Sequence, residues 1–365
     1  MSLSRPHEQP LKIMATWFSL CSLLYFLVSP LPGSFMTLWP MGMNIFGLSV
    51  RCINYLWLKD PSQFHRMQQS PSMDAKDEKT GTHGYLDALD IATTFRGVGW
   101  SFEAKGLPQP QAISPVAFAA SQVIGALGRF LILDFAISYA NAFVPSLDNA
   151  SIPLRLAFGC LMMFYVRWSM DIPCRVLSAI AVLFFGSSPA SWPPLFGSWS
   201  EAYTIRRFWS HTWHQGMRLI AEAPVNFVAH SLLGLQKGTY VSQWAKVLGN
   251  FMMAFLDHAY GRVMGGGDVV SDWNMFILHP IALWIEETTR EGLVACGILD
   301  KDKRSRTERY LGYIWVGVFN CWTFLYFMEG AIRVDGNVPA LADGLIEPPF
   351  GASLVVPLTR WLASR

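Results

Sequence analysis

The sequence predicts an all-α, polytopic membrane protein, because of its composition and the length of its apolar runs. Of the 365 residues, 52% are hydrophobic and only 15% are charged, whereas soluble proteins average about 25% charged residues. The mean hydropathy is +0.28. Several runs approach the ~20 apolar residues that a helix needs to cross a bilayer. Alternation with a period of two, typical of membrane barrels, is absent.

Composition also excludes several classes of protein. A disordered chain, a fibrous protein and a disulfide-stapled mini-domain are all incompatible with it. The net charge of +2 is too small to indicate nucleic-acid binding. The six cysteines form no CxxC pair and are interpreted as small buried hydrophobes. The sequence shows no ligand cluster at metal-binding spacing.

Residues 1–58 are predicted to hold the N-terminal membrane segments. The first apolar run, 16–32, ends in two prolines and a glycine, and a second run follows almost at once. It is therefore interpreted as a retained segment and not as a cleavable signal peptide. The second run, 35–58, is interrupted by Arg51, and its later half is expected at the membrane interface.

Residues 59–111 are predicted to form a polar loop. Its charge-rich run, 73–80, is typical of a solvated loop. Further along, Gly97 and Gly99 flank Val98 and precede Trp100 in the sequence RGVGW. This pattern predicts a tight turn at the membrane surface, an environment that tryptophan favours.

Residues 112–365 are predicted to form the membrane core. Its apolar runs are 116–144, 152–168, 176–185, 225–235, 244–260, 273–285, 311–331 and a short one at 352–362. The whole chain then has roughly eight spans. The Pro-rich stretch 191–201 is expected to be a loop, and the basic, aromatic stretch 206–218 to be interfacial. A glycosylation sequon begins at Asn149, close to a predicted membrane edge.

Charged groups within apolar runs are the first candidates for function, because each costs about 2.5–3.5 kcal/mol to insert. They are Arg129, Asp134, Asp257, His258, His279, Glu286 and Glu287. Asp257 and His258 are the most informative pair, since an imidazole exchanges a proton near neutral pH. Successive helix residues point about 100° apart, so Asp257 is not expected to orient His258. The alternative is a buried histidine with a structural role.

A second concentration of histidine is His211 and His214. Their i, i+3 spacing places both on one face if the segment is helical. Such a pair can bind zinc if a third ligand comes from elsewhere. The alternative is an interfacial aromatic helix anchored by Arg206, Arg207 and Arg218.

Several motifs occur in a specific order along residues 95–290. They are RGVGW at 96–100, WPPLF at 192–196, Phe208-Trp209, Trp213-His214-Gln215 with Arg218, the run 251–258 that ends in His258, and an apolar run ending at Glu286. In this order and spacing the chain resembles the wax-synthase-like membrane O-acyltransferases, a branch of the membrane-bound O-acyltransferase superfamily. The sequence departs from the family pattern at Ala254-Phe255, where Ser-Gly is usual, and at His279, where Gln is common.

The resemblance implies an acyl-CoA-dependent transfer with His258 as the catalytic histidine and His214 as its partner. Acyl transfer to an alcohol needs a base and donors for the developing oxyanion. His214, Gln215 and Trp213 are candidates for donation to the thioester carbonyl. Arg206, Arg207 and Arg218 are candidates for binding the phosphates of coenzyme A, and their alternative role is anchoring at the membrane surface.

The branch that the chain most resembles contains fungal acetyltransferases of terpenoid and meroterpenoid pathways. The resemblance therefore implies acetyl-CoA as co-substrate, no resident cofactor, and a lipophilic hydroxylated acceptor reached from the bilayer. The endoplasmic reticulum is the expected location, because coenzyme A donors are cytosolic and the chain shows no cleavable presequence. Long-chain acyl-CoA with a fatty alcohol or sterol is the alternative within this class. Phe255 in place of Gly favours the shorter donor.

Other classes of function stay open at this point. A membrane terpene cyclase that starts by protonation needs one or two buried acids, for which Asp134 and Glu286 are candidates. A prenyltransferase is disfavoured because it needs paired Asp-rich motifs, whereas the sequence has a single DxxxD, at Asp268 and Asp272, and no DDxxD. A transporter predicts internal repeats, which the sequence does not show. The Ala254-Phe255 departure also leaves open a family member without activity.

Overall fold

The computed structural model describes residues 9–29, 31–60, 63–67, 84–108, 113–143 and 150–335. In these ranges the chain is helical, apart from loops and one isolated bridge between Arg66 and Trp100. The prediction of an all-α fold is confirmed. The charge-rich run 73–80, Asn149 of the sequon and the short apolar run 352–362 lie outside the described residues.

Ten α-helices follow one another in the described part of the chain. They are α1 Gln9–Val28, α2 Phe35–Ile53, α3 Tyr85–Thr93, α4 Pro115–Phe143, α5 Ile152–Phe184, α6 Ile205–Arg207, α7 Met217–Asn226, α8 Tyr240–Met264, α9 Val270–Ala295 and α10 Arg306–Asp335. Turns of π-helix, Asn54–Leu58, Phe208–Thr212 and Phe227–Leu232, directly follow α2, α6 and α7.

Three of the described helices are long and apolar enough to cross a bilayer. The stretches are Gln9–Val28, Pro115–Ile137 and Arg306–Ile332, as judged by length and composition. They correspond to the predicted runs 16–32, 116–144 and 311–331. The count of roughly eight spans stays a prediction.

One difference from the sequence prediction concerns α5. The runs 152–168 and 176–185 were expected to be separate spans, but they form a single helix of 33 residues. Pro173 lies inside it, which removes one backbone hydrogen bond. The polar stretch between the runs stays helical because Asp171 and Arg175 pair at i, i+4 across one turn.

The described residues divide into two compact units. The first takes those within 1–33, 38–105 and 215–265, and the second takes those within 34–37, 106–214 and 266–365. The first unit therefore holds His258 and Arg218, and the second holds His214, Arg206 and Arg207.

The first unit is built on a close approach of α2 and α8. A Cβ at Gly42 would lie 2.5 Å from the Cα of Gly261, so the two backbones meet without intervening side chains. Further along, Tyr260 donates to the Leu23 carbonyl of α1 at 2.7 Å. The amide of Asn54 donates to the Ile220 carbonyl of α7 at 2.9 Å. The first two contacts fix the register of α8 within its unit, and the third joins the end of α2 to α7.

The second unit packs α5 against α4 and α10. The backbone of α10 at Cys321 reaches Gly159 of α5 so closely that no Cβ fits there. Between α9 and α10, His279 is fully buried, and its Nδ1 donates to the Met275 carbonyl at 2.7 Å. Its Nε2 lies 3.3 Å from the Asn320 side-chain oxygen. His279 thus fills a structural position between two helices.

Candidate functional site

In the first unit, His258 occupies a regular face of α8. The helix begins at Thr239, whose hydroxyl accepts from the backbone N–H of Ser242, and it ends before Gly265. His258 is half-buried, and its ring meets Trp39 of α2 edge to face, with centroids 5.9 Å apart. The imidazole is therefore held against an aromatic wall.

Arg262 lies one turn after His258 and contacts the same tryptophan. Its guanidinium carbon is 4.7 Å from the centre of the Trp39 ring, and its side chain is fully buried. A desolvated cation–π contact of this kind is worth about 2 kcal/mol. The indole therefore links His258 to a buried positive charge, which the sequence interpretation did not include.

Asp257 points away from His258, as the helical angle predicts. Its side chain is only 3% exposed. A Cβ at Gly47 of α2 would lie 3.7 Å from its Oδ1 and 3.0 Å from Ile220 of α7. Oδ1 has no hydrogen-bond partner among the described residues. Asp257 is thus packed on the helix face that meets α7.

In the second unit, His214 lies beyond the end of a helical turn. The π-helical turn ends at Thr212, and Trp213 is extended, with φ −81° and ψ 161°. The condition for His211 and His214 to share a helix face, a helical segment through both, is therefore not met. His211 is exposed and bonds to Ser210 at 2.6 Å, whereas the His214 ring packs 5.7 Å from Phe196.

The WPPLF segment provides the wall for this region. Phe196 meets Trp213 edge to face at 5.2 Å, and Trp213 also packs against Phe324 of α10 at 5.1 Å. Trp213 and Gln215 are both buried, at 5% and 4% exposure. The aromatic contacts thus pack the WPPLF segment against Trp213 and His214.

Arg167 of α5 holds the WPPLF segment and the turn before His214 together. It donates to the Thr212 carbonyl at 3.1 Å and to the Gly197 carbonyl at 2.9 Å. Its guanidinium also stacks 4.5 Å from the Phe196 and Trp199 rings. One buried arginine thus fixes the backbone that leads into His214.

Arg206 and Arg207 each have a carboxylate partner. Arg206 binds Glu287 through two nitrogen atoms, one of them at 2.9 Å, and the hydrogen bond to Glu287 raises the pKa of Arg206. Arg207 pairs with Glu201. In the first unit, burial lowers the pKa of Arg218, and Glu222 opposes that shift. The positive charges of Arg206 and Arg207 are therefore matched within the chain.

Glu286, a candidate acid for a cyclase, has structural surroundings. Glu286 accepts from the backbone N–H of Ile205 at 3.0 Å and from the Trp315 indole at 3.1 Å. It thereby caps the start of α6. A cavity of about 160 Å³ lies nearby. Its lining is Met163, Trp199, Ala202, Phe208, Tyr313, Val316, Gly317 and Asn320.

The RGVGW segment forms the predicted turn but not the predicted surface. Gly97 and Gly99 have φ of 65° and 78°, which only glycine adopts readily. Trp100 was expected at the membrane interface, but it is fully buried. Its indole donates to Asp90 at 3.0 Å, and Arg66 covers its ring at 4.2 Å. Inside the unit, the hydrogen bond to Asp90 pairs the indole N–H, and the cation–π contact with Arg66 stabilises the buried ring.

Comparison with known proteins identifies the motif-bearing segment. Residues 192–279 match the model of the membrane bound O-acyl transferase family. The matched segment begins at WPPLF and includes His214 and His258. The resemblance to the membrane-bound O-acyltransferases is confirmed.

Relatives with assigned names align over most of the chain. Acetyltransferase ple2 of Rhodocybe pseudopiperita is 24% identical over 323 residues, covering 85% of this chain and 83% of its own. O-Mevalon transferase macI of Penicillium terrestre is 27% identical over 343 residues, covering 84% and 75%. Acetyltransferase aurG of Calcarisporium arbuscula is 27% identical over 333 residues, covering 84% and 78%. No solved structure matches the chain. The prediction of an acyltransferase is confirmed.

Within this acyltransferase, the structure adds residues that the sequence interpretation missed. Trp39 and Arg262 adjoin His258, and Arg167 supports the backbone before His214. The i, i+4 spacing of His258 and Arg262 was a visible signal for one of them. Trp39 is more than two hundred positions from His258 in the sequence, and nothing in its local sequence pointed to that contact.

Proposed function

We propose that the protein transfers an acetyl group from acetyl-CoA to a hydroxyl of a lipophilic terpenoid or meroterpenoid. The observation that carries this proposal is the family match over 192–279, which contains His214 and His258 in the family's motifs. Relatives named acetyltransferases and an O-mevalon transferase support transfer to oxygen.

In the proposed reaction His258 is the general base. It takes the proton of the acceptor hydroxyl while the hydroxyl oxygen attacks the thioester carbonyl. The tetrahedral intermediate then collapses to the ester, the C–S bond breaks, and the coenzyme A sulfur leaves with the proton returned by His258. General base catalysis of this kind contributes about 10²–10⁴-fold. The Trp39 ring restricts the orientation of the imidazole, which favours a single productive geometry.

His214, Trp213 and Gln215 are proposed to act on the donor carbonyl. Each offers an N–H group that can donate to the oxyanion as charge develops on it. Trp213 and Gln215 are buried, and hydrogen bonds strengthen where water is excluded. The packing of Trp213 against Phe196 and Phe324 holds this segment without relying on a regular helix.

Arg206, Arg207 and Arg218 are proposed to interact with the phosphates of the donor or with the membrane surface. The ion pairs with Glu287 and Glu201 favour the anchoring role for Arg206 and Arg207. Arg218 stays the stronger candidate of the three for the donor. If Arg218 binds the donor, substituting it should lower the apparent affinity of the enzyme for acetyl-CoA. If it anchors the chain at the membrane surface, that affinity should not change.

The protein is proposed to be a multi-pass enzyme of the endoplasmic reticulum with roughly eight spans. Besides the three apolar helices, α5, α8 and α9 have 33, 25 and 26 residues, so each is long enough to cross a bilayer at 1.5 Å per residue. An acceptor that dissolves in lipid then reaches the site from the membrane, and acetyl-CoA comes from the cytosol.

A short donor is favoured by Phe255. It lies one turn before His258 on α8, at the position where the family usually has glycine. A benzyl group at this point occupies space beside the base that a long acyl chain would need. Long-chain acyl-CoA is therefore the alternative outcome of the test below.

The test uses microsomes that contain the protein, labelled acetyl-CoA or palmitoyl-CoA, and a panel of hydroxylated terpenoids, sterols and fatty alcohols. The proposal predicts a labelled acetate ester of a terpenoid, and a lower preference for acetyl-CoA in Phe255→Gly. Ester formation from palmitoyl-CoA alone would instead indicate wax or sterol ester synthesis. Absence of transfer from either donor, in inserted protein, would contradict the proposal.

A further inference from the structure

A group of charged side chains joins α4 to α5 within apolar surroundings. Arg129 Nε lies 3.0 Å and Arg175 Nε 2.6 Å from the same atom, Oδ2 of Asp171. Arg175 also donates to the Gln122 side-chain oxygen at 2.9 Å, and Arg129 to the Gly125 carbonyl at 2.8 Å. Two guanidiniums thus share one carboxylate. We call Arg129, Asp171 and Arg175 the arginine cluster.

Arg167 increases the positive charge of this region. It lies one turn before Asp171 on α5, and Asp171, Arg129 and Arg175 are the charged groups that act on it. Its own hydrogen bonds go to backbone carbonyls, which carry no net charge. Three guanidiniums, two of them in contact with Asp171, therefore lie close enough to influence one another.

A small cavity of about 30 Å³ adjoins the arginine cluster. Gln122, Asp171 and Arg175 contribute its polar wall, and residues 192–195 of the WPPLF segment contribute the opposite wall. A cavity of this size has room for a water-sized oxygen atom. The arginine cluster therefore adjoins a polar cavity, and the WPPLF segment lines the same cavity.

An excess of cations within an apolar helix pair is unfavourable unless an anion compensates it. Each uncompensated charge costs several kcal/mol in a low-dielectric setting. Arg206 and Arg207 offer a contrast, because each has a glutamate of its own. Among the described residues, the arginine cluster and Arg167 thus carry more positive than negative charge. The planar fork of a guanidinium matches the geometry of a phosphate.

We propose that the arginine cluster is a binding site for a phosphate group. That group comes from the coenzyme A part of the donor or from a phospholipid headgroup, and both present the same chemistry to Arg129 and Arg175. The coenzyme A source rests on the proposed function, whereas the headgroup source is independent of it. No covalent step is involved.

The experiment measures binding directly, with the full-length protein in nanodiscs. One arm titrates coenzyme A and dephospho-coenzyme A into phosphatidylcholine nanodiscs and records Kd. The other arm records the shift of the unfolding temperature when phosphatidic acid replaces part of the phosphatidylcholine. The variants are Arg175→Gln and Arg129→Gln. Arg155→Gln is the matched control, because Arg155 is on the same helix but contacts Tyr326.

The proposal predicts that Arg175→Gln weakens coenzyme A binding about 10-fold or more, or abolishes the phosphatidic acid shift, while Arg155→Gln changes neither. A loss confined to the first arm identifies the donor as the source, and a loss confined to the second identifies the lipid. The loss of one charged hydrogen bond accounts for an effect of this size. Equal values for Arg175→Gln, Arg129→Gln and Arg155→Gln in both arms would overturn the proposal.

Asp171→Asn separates phosphate binding from a purely structural ion-pair cluster. It removes the carboxylate that competes for Arg129 and Arg175 and leaves the guanidiniums in place, so the proposal predicts a tighter Kd for the phosphate ligand. A structural cluster predicts a lower unfolding temperature with an unchanged Kd, and that result would contradict a phosphate site. This variant also serves if Arg175→Gln does not fold. Binding without acetyl transfer would leave the proposal intact and refute only the proposed function.

Discussion

His258 lies on a regular helix, whereas His214 lies in an irregular segment. His258 is on a 25-residue helix with a capped start, and its neighbours on that face recur at three- and four-residue spacing. His214 follows an extended Trp213 after a five-residue π-helical turn, and aromatic packing and Arg167 fix its backbone. The periodicity of α8 therefore determines the side of the helix on which His258 lies. Contacts with residues distant in sequence determine the environment of His214.

Removing the base has the largest expected effect. His258→Ala should lower kcat about 10²–10⁴-fold, because the acceptor hydroxyl then loses its proton acceptor. The side chain is half-buried, so insertion and folding should be retained. The matched control is His211→Ala, whose exposed imidazole bonds to Ser210 and should leave kcat within about two-fold. Equal kcat values for the two variants would refute the role of His258.

The next largest effect is expected at the irregular segment. His214→Ala should lower kcat about 10²–10³-fold, the cost of one oxyanion donor. The KM for acetyl-CoA should change less, since the donor acts mainly in the transition state. Steady-state kinetics in microsomes measure both constants. Turnover near that of the wild type would return His214 to a structural role in the aromatic cluster.

A smaller effect is expected for the wall against His258. Trp39→Leu removes the ring that contacts both His258 and Arg262, and kcat should fall on the order of 10-fold as the imidazole loses its orientation. Trp39→Phe keeps an aromatic face and should restore most of the loss. A KM for acetyl-CoA that rises while kcat stays constant would show that Trp39 binds the donor instead.

The smallest effect is expected at Asp257. Asp257→Asn keeps the shape and replaces a buried carboxyl group whose Oδ1 has no partner among the described residues. Because an amide of the same shape costs no more to bury than this carboxyl group, the unfolding temperature should be unchanged or higher, and kcat should stay within about two-fold. A 10-fold loss of kcat with an unchanged unfolding temperature would mean that Asp257 orients His258.

The comparison also shows what the sequence could and could not predict. The all-α class and the separation of Asp257 from His258 follow from run length and helical geometry. The sequence did not predict that 152–168 and 176–185 form one helix, because the proline and charged residues between them are typical of a loop. In the structure, Arg129 and Arg175 pair with Asp171 and compensate its charge. His211 and His214 do not share a helix face, because the extended Trp213 interrupts the helix between them.

Tertiary contacts account for the other differences. Trp100 was expected at the membrane surface because of its residue type, but Asp90 and Arg66 satisfy it in the interior. The carboxylate partners of Arg206 and Arg207 come from different parts of the sequence, since Glu287 is on α9 and Glu201 precedes α6. No local pattern specifies either pairing.

The central claim is direct transfer of acetyl from acetyl-CoA to a lipophilic hydroxyl with His258 as base. Its most direct test is a single-turnover reaction with acetyl-labelled acetyl-CoA and a terpenoid alcohol, in which label is followed in ester and in protein, for the wild type and His258→Ala. The claim predicts labelled ester with the wild type alone and no label attached to the protein. Equal ester from His258→Ala, or label that passes through a protein-bound intermediate, would contradict it.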